Sequence, residues 1–89
     1  MVKWSIKYTK QVVNDSLKIK RAGLKEKAQR LLDLIAENPY ATPPSFEKLL
    51  GLQNVYGRRI NIKHRLVYEI INDKKTVKII SIWGHYDDN

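Results

Sequence analysis

The spacing of apolar residues changes period twice along this 89-residue chain, and that pattern limits the folds open to it. Trp4, Ile6 and Tyr8 alternate with Ser5 and Lys7, the period of a short half-buried strand. From Thr9 the period lengthens. Val12, Val13, Leu17 and Lys20 fall on one helical face, Ala22 closes the segment, and Gly23 is the residue type that ends helices in a left-handed turn. A second helix follows, with Leu24, Ala28, Leu31, Leu32 and Ile35 on one face and Lys25, Lys27, Arg30 and Asp33 outward, until Asn38-Pro39 stops it. Tyr40 to Ser45, stiffened by Pro43 and Pro44, is a crossing too short to link two domains. Strand signals then take over at Tyr56 to Ile62, Arg65 to Ile71 and Thr76 to Trp83, with Asn72-Asp73-Lys74-Lys75 as a hairpin loop.

This order predicts a single α+β domain over residues 1–89: an αα-hairpin packed on a small twisted antiparallel sheet, in the order β-α-α-β-β-β. A direct hairpin register sets Glu69 opposite Lys78, a favourable cross-strand pair. It puts Leu66, Tyr68 and Ile70 with Val77, Ile79 and Trp83 beneath the helices. Val67, Ile71, Ile80 and Ile82 fall on the other face, too apolar to stand uncovered, so a partner chain, the C-terminal tail or a ligand is expected there. In this register Arg65 shares a face with Ile82 and Gly84, whereas His85 shares that of Trp83. If both serve one phosphate, the strand must bulge or His85 must lie past its end, and Gly84 suits such a bend.

Charge narrows the partners. Seventeen Lys and Arg against nine acids leave a net +8, which favours a polyanion. Residues 1–30 hold nine basic and two acidic side chains, so much of the excess lies on the helices. A second cluster, Arg58, Arg59, Lys63 and Arg65, interrupts strand sequence and has no acid from Tyr56 to Arg65. The absence of cysteine excludes disulfides, thiolate metal sites and thiol nucleophiles. His64 and His85 are too few for a metal site, so no metal or cofactor is expected. No apolar run exceeds three residues, which supports neither a signal peptide nor a membrane span and fits a cytoplasmic location.

Cleaving RNA through its 2′-OH without a cofactor needs a base for the 2′ proton, cations for charge growing on phosphorus-bound oxygens, and an acid for the leaving 5′ oxygen. Glu47, the Arg58/Arg59/Arg65 group and His85 are residues of those types near the sheet. Each has a plainer reading: Glu47 as a solvated carboxylate, the arginines as edge-strand charges, His64 as a hydrogen-bonded structural residue. Tyr86 suits either the edge of the core or a base-stacking platform.

Phe46-Glu47-Lys48-Leu49, Gly57-Arg58-Arg59-Ile60-Asn61, His64-Arg65-Leu66-Val67-Tyr68 and Trp83-Gly84-His85-Tyr86, in that order, resemble the RelE/ParE toxin superfamily, and most closely its YoeB/Txe branch. The resemblance spans nearly the whole chain. It implies a ribosome-dependent mRNA endonuclease of a type II toxin-antitoxin pair, folded like the small microbial ribonucleases and using no metal. By that resemblance Glu47 is the general base, Arg65 the phosphate stabiliser and His85 the general acid, with Arg58, Arg59, Lys48 and Tyr86 as RNA-binding residues. Its implied partners are an acidic YefM/Axe-like antitoxin, the ribosome with its mRNA, and a second copy of the toxin. The chain departs from the family pattern in its Asp87-Asp88-Asn89 tail and in a Glu47-to-arginine interval one residue shorter. Two alternatives stand beside this reading: a ParE-like toxin that binds DNA gyrase without cutting RNA, and a plain nucleic-acid-binding module.

Overall fold

The computed structural model describes residues 4–42, 45–49 and 51–85; Tyr86 and the Asp87-Asp88-Asn89 tail lie outside the described residues. The chain runs through β1 (Ser5–Tyr8), α1 (Lys10–Arg21), α2 (Lys25–Glu37), β2 (Glu47–Lys48), β3 (Val55–Arg59), β4 (His64–Ile71), a 3₁₀ turn (Asn72–Lys74) and β5 (Thr76–His85). Among the described residues the strands form one sheet in the order β1-β5-β4-β3-β2, with β1 parallel to β5 and the other pairs antiparallel. This is the α+β architecture expected, with two differences. The sheet is mixed rather than wholly antiparallel, because β1 at one edge runs in the same direction as β5, and β2 is added at the far edge. A two-residue strand is too short to show a period.

Local signals set the helix ends. Thr9 caps α1: its Oγ1 accepts from the Val12 N–H at 3.3 Å, and its hydroxyl donates to the Ile80 carbonyl at 2.8 Å. At the other end Gly23 takes a φ of 74°, while Leu24 N–H donates to Ile19 O and Gly23 N–H to Lys20 O. That bond pair closes the helix, and the buried Leu24 and Ile19 seal it. α2 ends at Asn38, which is extended as expected of a residue before proline.

α1 does not bury the face its apolar residues suggest. Val12, Asp15 and Ile19 point inward, whereas Val13 is 64% exposed and Leu17 58%. The displacement accompanies Asp15, an acid on the inward face whose carboxylate is bonded inside the protein. β3 is also shorter than predicted. The Asn61 side chain accepts from the Lys63 and His64 N–H groups at 2.9 and 2.8 Å, which folds residues 60–63 into a turn and ends the strand at Arg59.

The core lies between the helices and one face of the sheet. Leu66, Tyr68, Ile70, Val77 and Ile79 are fully buried there, beneath Val12, Ile19, Leu24, Ala28, Leu31 and Ile35. Near the hairpin the register is as predicted, with Glu69 opposite Lys78. It then shifts by one residue between Tyr68 and Val67, and again between Val67 and Arg65, leaving Arg65 opposite Gly84. Each shift gives β5 an extra residue. Ile82, expected on the outer face, is thereby turned into the core, and Trp83 only partly joins it. The outer face keeps Val67 together with the half-buried Ile71 and Ile80.

Candidate active site

Residues directly opposite one another on paired strands share a face of the sheet. Glu47 is opposite Gly57, Gly57 opposite Val67, and Arg59 opposite Arg65. Since Gly57 and Arg59 are two positions apart, Glu47, Arg59 and Arg65 all belong to the face turned away from the helices. Glu47 and Arg59 are exposed and Arg65 is half-buried. Arg65 is two positions along the strand from the Glu47–Gly57–Val67 row, but its side chain crosses back over that row. A Cβ at position 57 would be 3.5 Å from the Arg65 Cδ and 3.8 Å from the Leu49 Cδ2. The bare backbone at Gly57 is thus the floor over which the guanidinium stem runs towards β2.

The double register shift brings the end of β5 to this place. Arg65 is opposite Gly84 and His64 opposite His85, so the backbone of His85 is adjacent to that of Arg65 across the strand pair. The two shifts together move β5 by an even number of positions, so alternation still assigns Gly84 to the Arg65 face and His85 to the His64 face; what the bulged stretch supplies is the nearness of the His85 backbone to Arg65. The His64 ring is buried and stacks on Trp83 at 3.9 Å between centroids and 19° between planes. Its backbone carbonyl accepts from Ile60 N–H across the β3–β4 turn. His64 therefore braces both strands, in keeping with its plainer reading.

Arg58 is where expectation and structure part. Read as an RNA contact, it is 0% exposed and lies on the helix side of β3. Its Nε donates to the Tyr68 hydroxyl and its Nη2 to the Pro39 carbonyl, both at 3.0 Å, and the guanidinium sits 4.9 Å from the centre of the Phe46 ring. Tyr68 in turn donates to the same Pro39 carbonyl. Burial pushes the Tyr68 hydroxyl above its ordinary pKa, against the opposing pull of Arg58. Edge-on contacts among Tyr40, Phe46 and Tyr56 complete an aromatic cage around this arginine. Arg58 thus ties Pro39 and Phe46 to the sheet, and Phe46 precedes the start of β2 where Glu47 stands. The sequence signal was available: Tyr40, Phe46, Tyr56 and Tyr68 are half of the chain's aromatic complement of Trp, Tyr and Phe.

Lys48 is exposed but sits opposite Tyr56, so it alternates to the other face from Glu47 and is not gathered with Arg65. Arg59 donates to the Ile62 carbonyl at 3.1 Å and also borders a groove of about 370 Å³ shared with Lys27, Arg30 and Leu34 of α2. The groove joins the Lys27 and Arg30 side of α2 to the rim of the site. Among the described residues no group of three His, Cys, Asp or Glu is placed to hold a metal ion, and no helix is long and apolar enough to cross a membrane. What the gathered residues can do is acid-base and electrostatic work: one carboxylate, two guanidinium groups on an open face, and a histidine position at the adjoining strand end.

Residues 6–89 match the family model described as the ParE toxin of the type II toxin-antitoxin system parDE. The fold resembles the solved YoeB/ParE toxin from Agrobacterium tumefaciens, with 26% identity, coverage of 92% of this chain and 99% of that one, and a TM-score of 0.80. It also resembles the YoeB dimer from Staphylococcus aureus, at 32% identity, 93% and 98% coverage and a TM-score of 0.78. The YoeB-YefM complex from Staphylococcus aureus is similar at 31% identity, 93% and 98% coverage and a TM-score of 0.75. No curated protein gives a significant sequence match.

Proposed function

The chain belongs to the ParE toxin family of type II toxin-antitoxin systems, and from that premise we propose that it is a metal-independent endoribonuclease acting on ribosome-bound mRNA. The observation that carries the proposal is the convergence of Glu47, Arg59 and Arg65 on one open face, with Arg65 laid across Gly57 towards the Glu47 row. A gyrase-binding surface needs no such arrangement of carboxylate and guanidinium groups.

In this mechanism Glu47 takes the proton from a ribose 2′-OH as that oxygen attacks the adjacent phosphorus. Arg65 stabilises the charge growing on the non-bridging oxygens, and His85 gives a proton to the departing 5′ oxygen. The P–O5′ bond breaks as the P–O2′ bond forms, so the products are a 2′,3′-cyclic phosphate and a 5′-OH. Arg59 and the Lys27/Arg30 groove hold neighbouring phosphates. Tyr86 and Lys48 remain proposed RNA contacts; Arg58 does not, because it is buried.

The proposed partners follow from charge and from similarity. A +8 chain with half-buried Ile71 and Ile80 on an outer sheet face suits an acidic antitoxin segment that folds on binding. The similar Staphylococcus aureus toxin is known both as a dimer and with YefM. The test is to express the wild type and His85→Ala in cells and map mRNA 5′ ends. New 5′-OH ends with the wild type alone are expected; equal toxicity of both without new ends overturns the proposal. The match to a ParE model keeps a second reading in view, gyrase binding, whose signature is DNA damage with intact mRNA.

A further inference from the structure

We propose that Asp15 of α1 is a positioning residue that fixes the bulged course of β5, and with it the place of His85 beside Arg65. Its structural half stands alone; its catalytic half rests on the function proposed above.

The starting point is a buried acid. Asp15 is 1% exposed on a helix face otherwise filled by Val12 and Ile19. A carboxylate there is costly unless its oxygens are bonded. Oδ1 accepts from Gln11 Nε2 at 2.7 Å, and Oδ2 accepts from the backbone N–H of Ile82 at 3.1 Å, a contact spanning 67 positions of sequence.

Ile82 lies where β5 carries its extra residues, between Ser81, opposite Val67, and Gly84, opposite Arg65. β1 accompanies β5 only as far as the pair Tyr8–Ile79. Beyond it the side chains of α1 and of its cap replace a strand, with the Thr9 hydroxyl on the Ile80 carbonyl and the Asp15 carboxylate on the Ile82 amide. Asp15 therefore satisfies a buried donor within the bulged stretch.

The competing state is the direct register, which continues the Glu69–Lys78 pairing without shifts. It would set Arg65 opposite Ile82 and His64 opposite Trp83. Relative to β4, Gly84 and His85 would then move two positions, about 7 Å at strand rise. A displacement of about 1 Å already costs on the order of 100-fold in rate for a group that must meet its substrate.

The test uses the full chain, labelled for NMR. In Asp15→Ala the Ile82 amide should exchange about 5- to 150-fold faster, the span that loss of one buried hydrogen bond implies. The backbone contacts Arg65–Gly84 and His64–His85 should weaken while Arg65–Ile82 contacts appear. Asp15→Asn keeps an acceptor for Ile82 and should retain the wild-type contacts. Cleavage of ribosome-bound mRNA should fall in kcat with KM unchanged in Asp15→Ala, and recover in Asp15→Asn. An Asp15→Ala protein that keeps both cross-strand contacts overturns the proposal. Should Asp15→Ala not fold, Gln11→Ala removes one bond to the carboxylate without emptying the core. It should speed Ile82 exchange by a smaller factor, and unchanged exchange overturns the proposal. The register readouts need no RNA. An inert wild type whose register is lost in Asp15→Ala sinks the nuclease and leaves the positioning role intact.

Discussion

The Cδ of Arg65 on β4 runs 3.5 Å from where a Cβ of residue 57 on β3 would stand, so a glycine in one strand sets the path of the arginine in the next. The distance is ordinary van der Waals contact, and a single methyl therefore fits. Gly57→Ala should fold normally and keep most activity. Gly57→Val adds branches that meet the Arg65 stem and turn it away from Glu47, and cleavage should drop by about 100-fold. Single-turnover cleavage of ribosome-bound mRNA, with thermal unfolding as the fold control, decides the point; equal rates for both variants would show that the floor at 57 is irrelevant.

Glu47→Gln, Arg65→Ala and His85→Ala should each slow cleavage by about 10²- to 10⁴-fold. Binding of toxin to ribosomes should change little for Glu47→Gln, because a neutral amide of the same shape removes only the proton acceptor. A Glu47→Gln enzyme with an unaltered rate would remove this carboxylate from the mechanism.

Arg58 and Arg59 are neighbours with opposite fates, and stability measurements should separate them. Arg58→Met breaks bonds to Tyr68 and Pro39, costing about 1.5–3 kcal/mol for each charge-assisted bond lost. Arg59→Met, on the exposed face, should stay within about 0.5 kcal/mol of wild type. Urea unfolding measures both. A stable Arg58→Met protein with weakened RNA binding would return Arg58 to the RNA surface.

Tyr68 predicts an alkaline limit. Burial raises its pKa above the ordinary 10.0, so the folded chain favours the neutral phenol that donates to Pro39. Its contribution is fully present below pH 10 and is lost as the pH climbs through the raised value. Stability should therefore fall above pH 10, and Tyr68→Phe should flatten that fall while lowering stability near neutrality. Denaturation midpoints across the alkaline range check it; equal slopes in both proteins would assign the loss to other groups.

Much of this protein was legible in order and period. The two helices, the Gly23 stop, the Asn72–Lys75 turn and the Glu69–Lys78 pair follow from contacts only a few residues apart, or from a register that a short loop dictates. Glu47, Arg65 and His85 were recognisable as types able to move protons and carry phosphate charge, and the sheet gathers Glu47 and Arg65 on one face and the His85 backbone beside Arg65. Tertiary structure alone decided the rest. Nothing in the sequence sets Asp15 apart, and Arg58 reads as an RNA contact, because a charge is assigned to water or to a polyanion unless its partners are known, and these partners lie 67 and 19 positions away. Their burial turns α1 about its axis, ties Pro39 and Phe46 to the sheet and accompanies two register shifts in β5. Periodicity reports which way a side chain points along its own element. Whether a polar group can stay inside depends on a donor or acceptor that another element brings to it, and only the folded chain sets that distance.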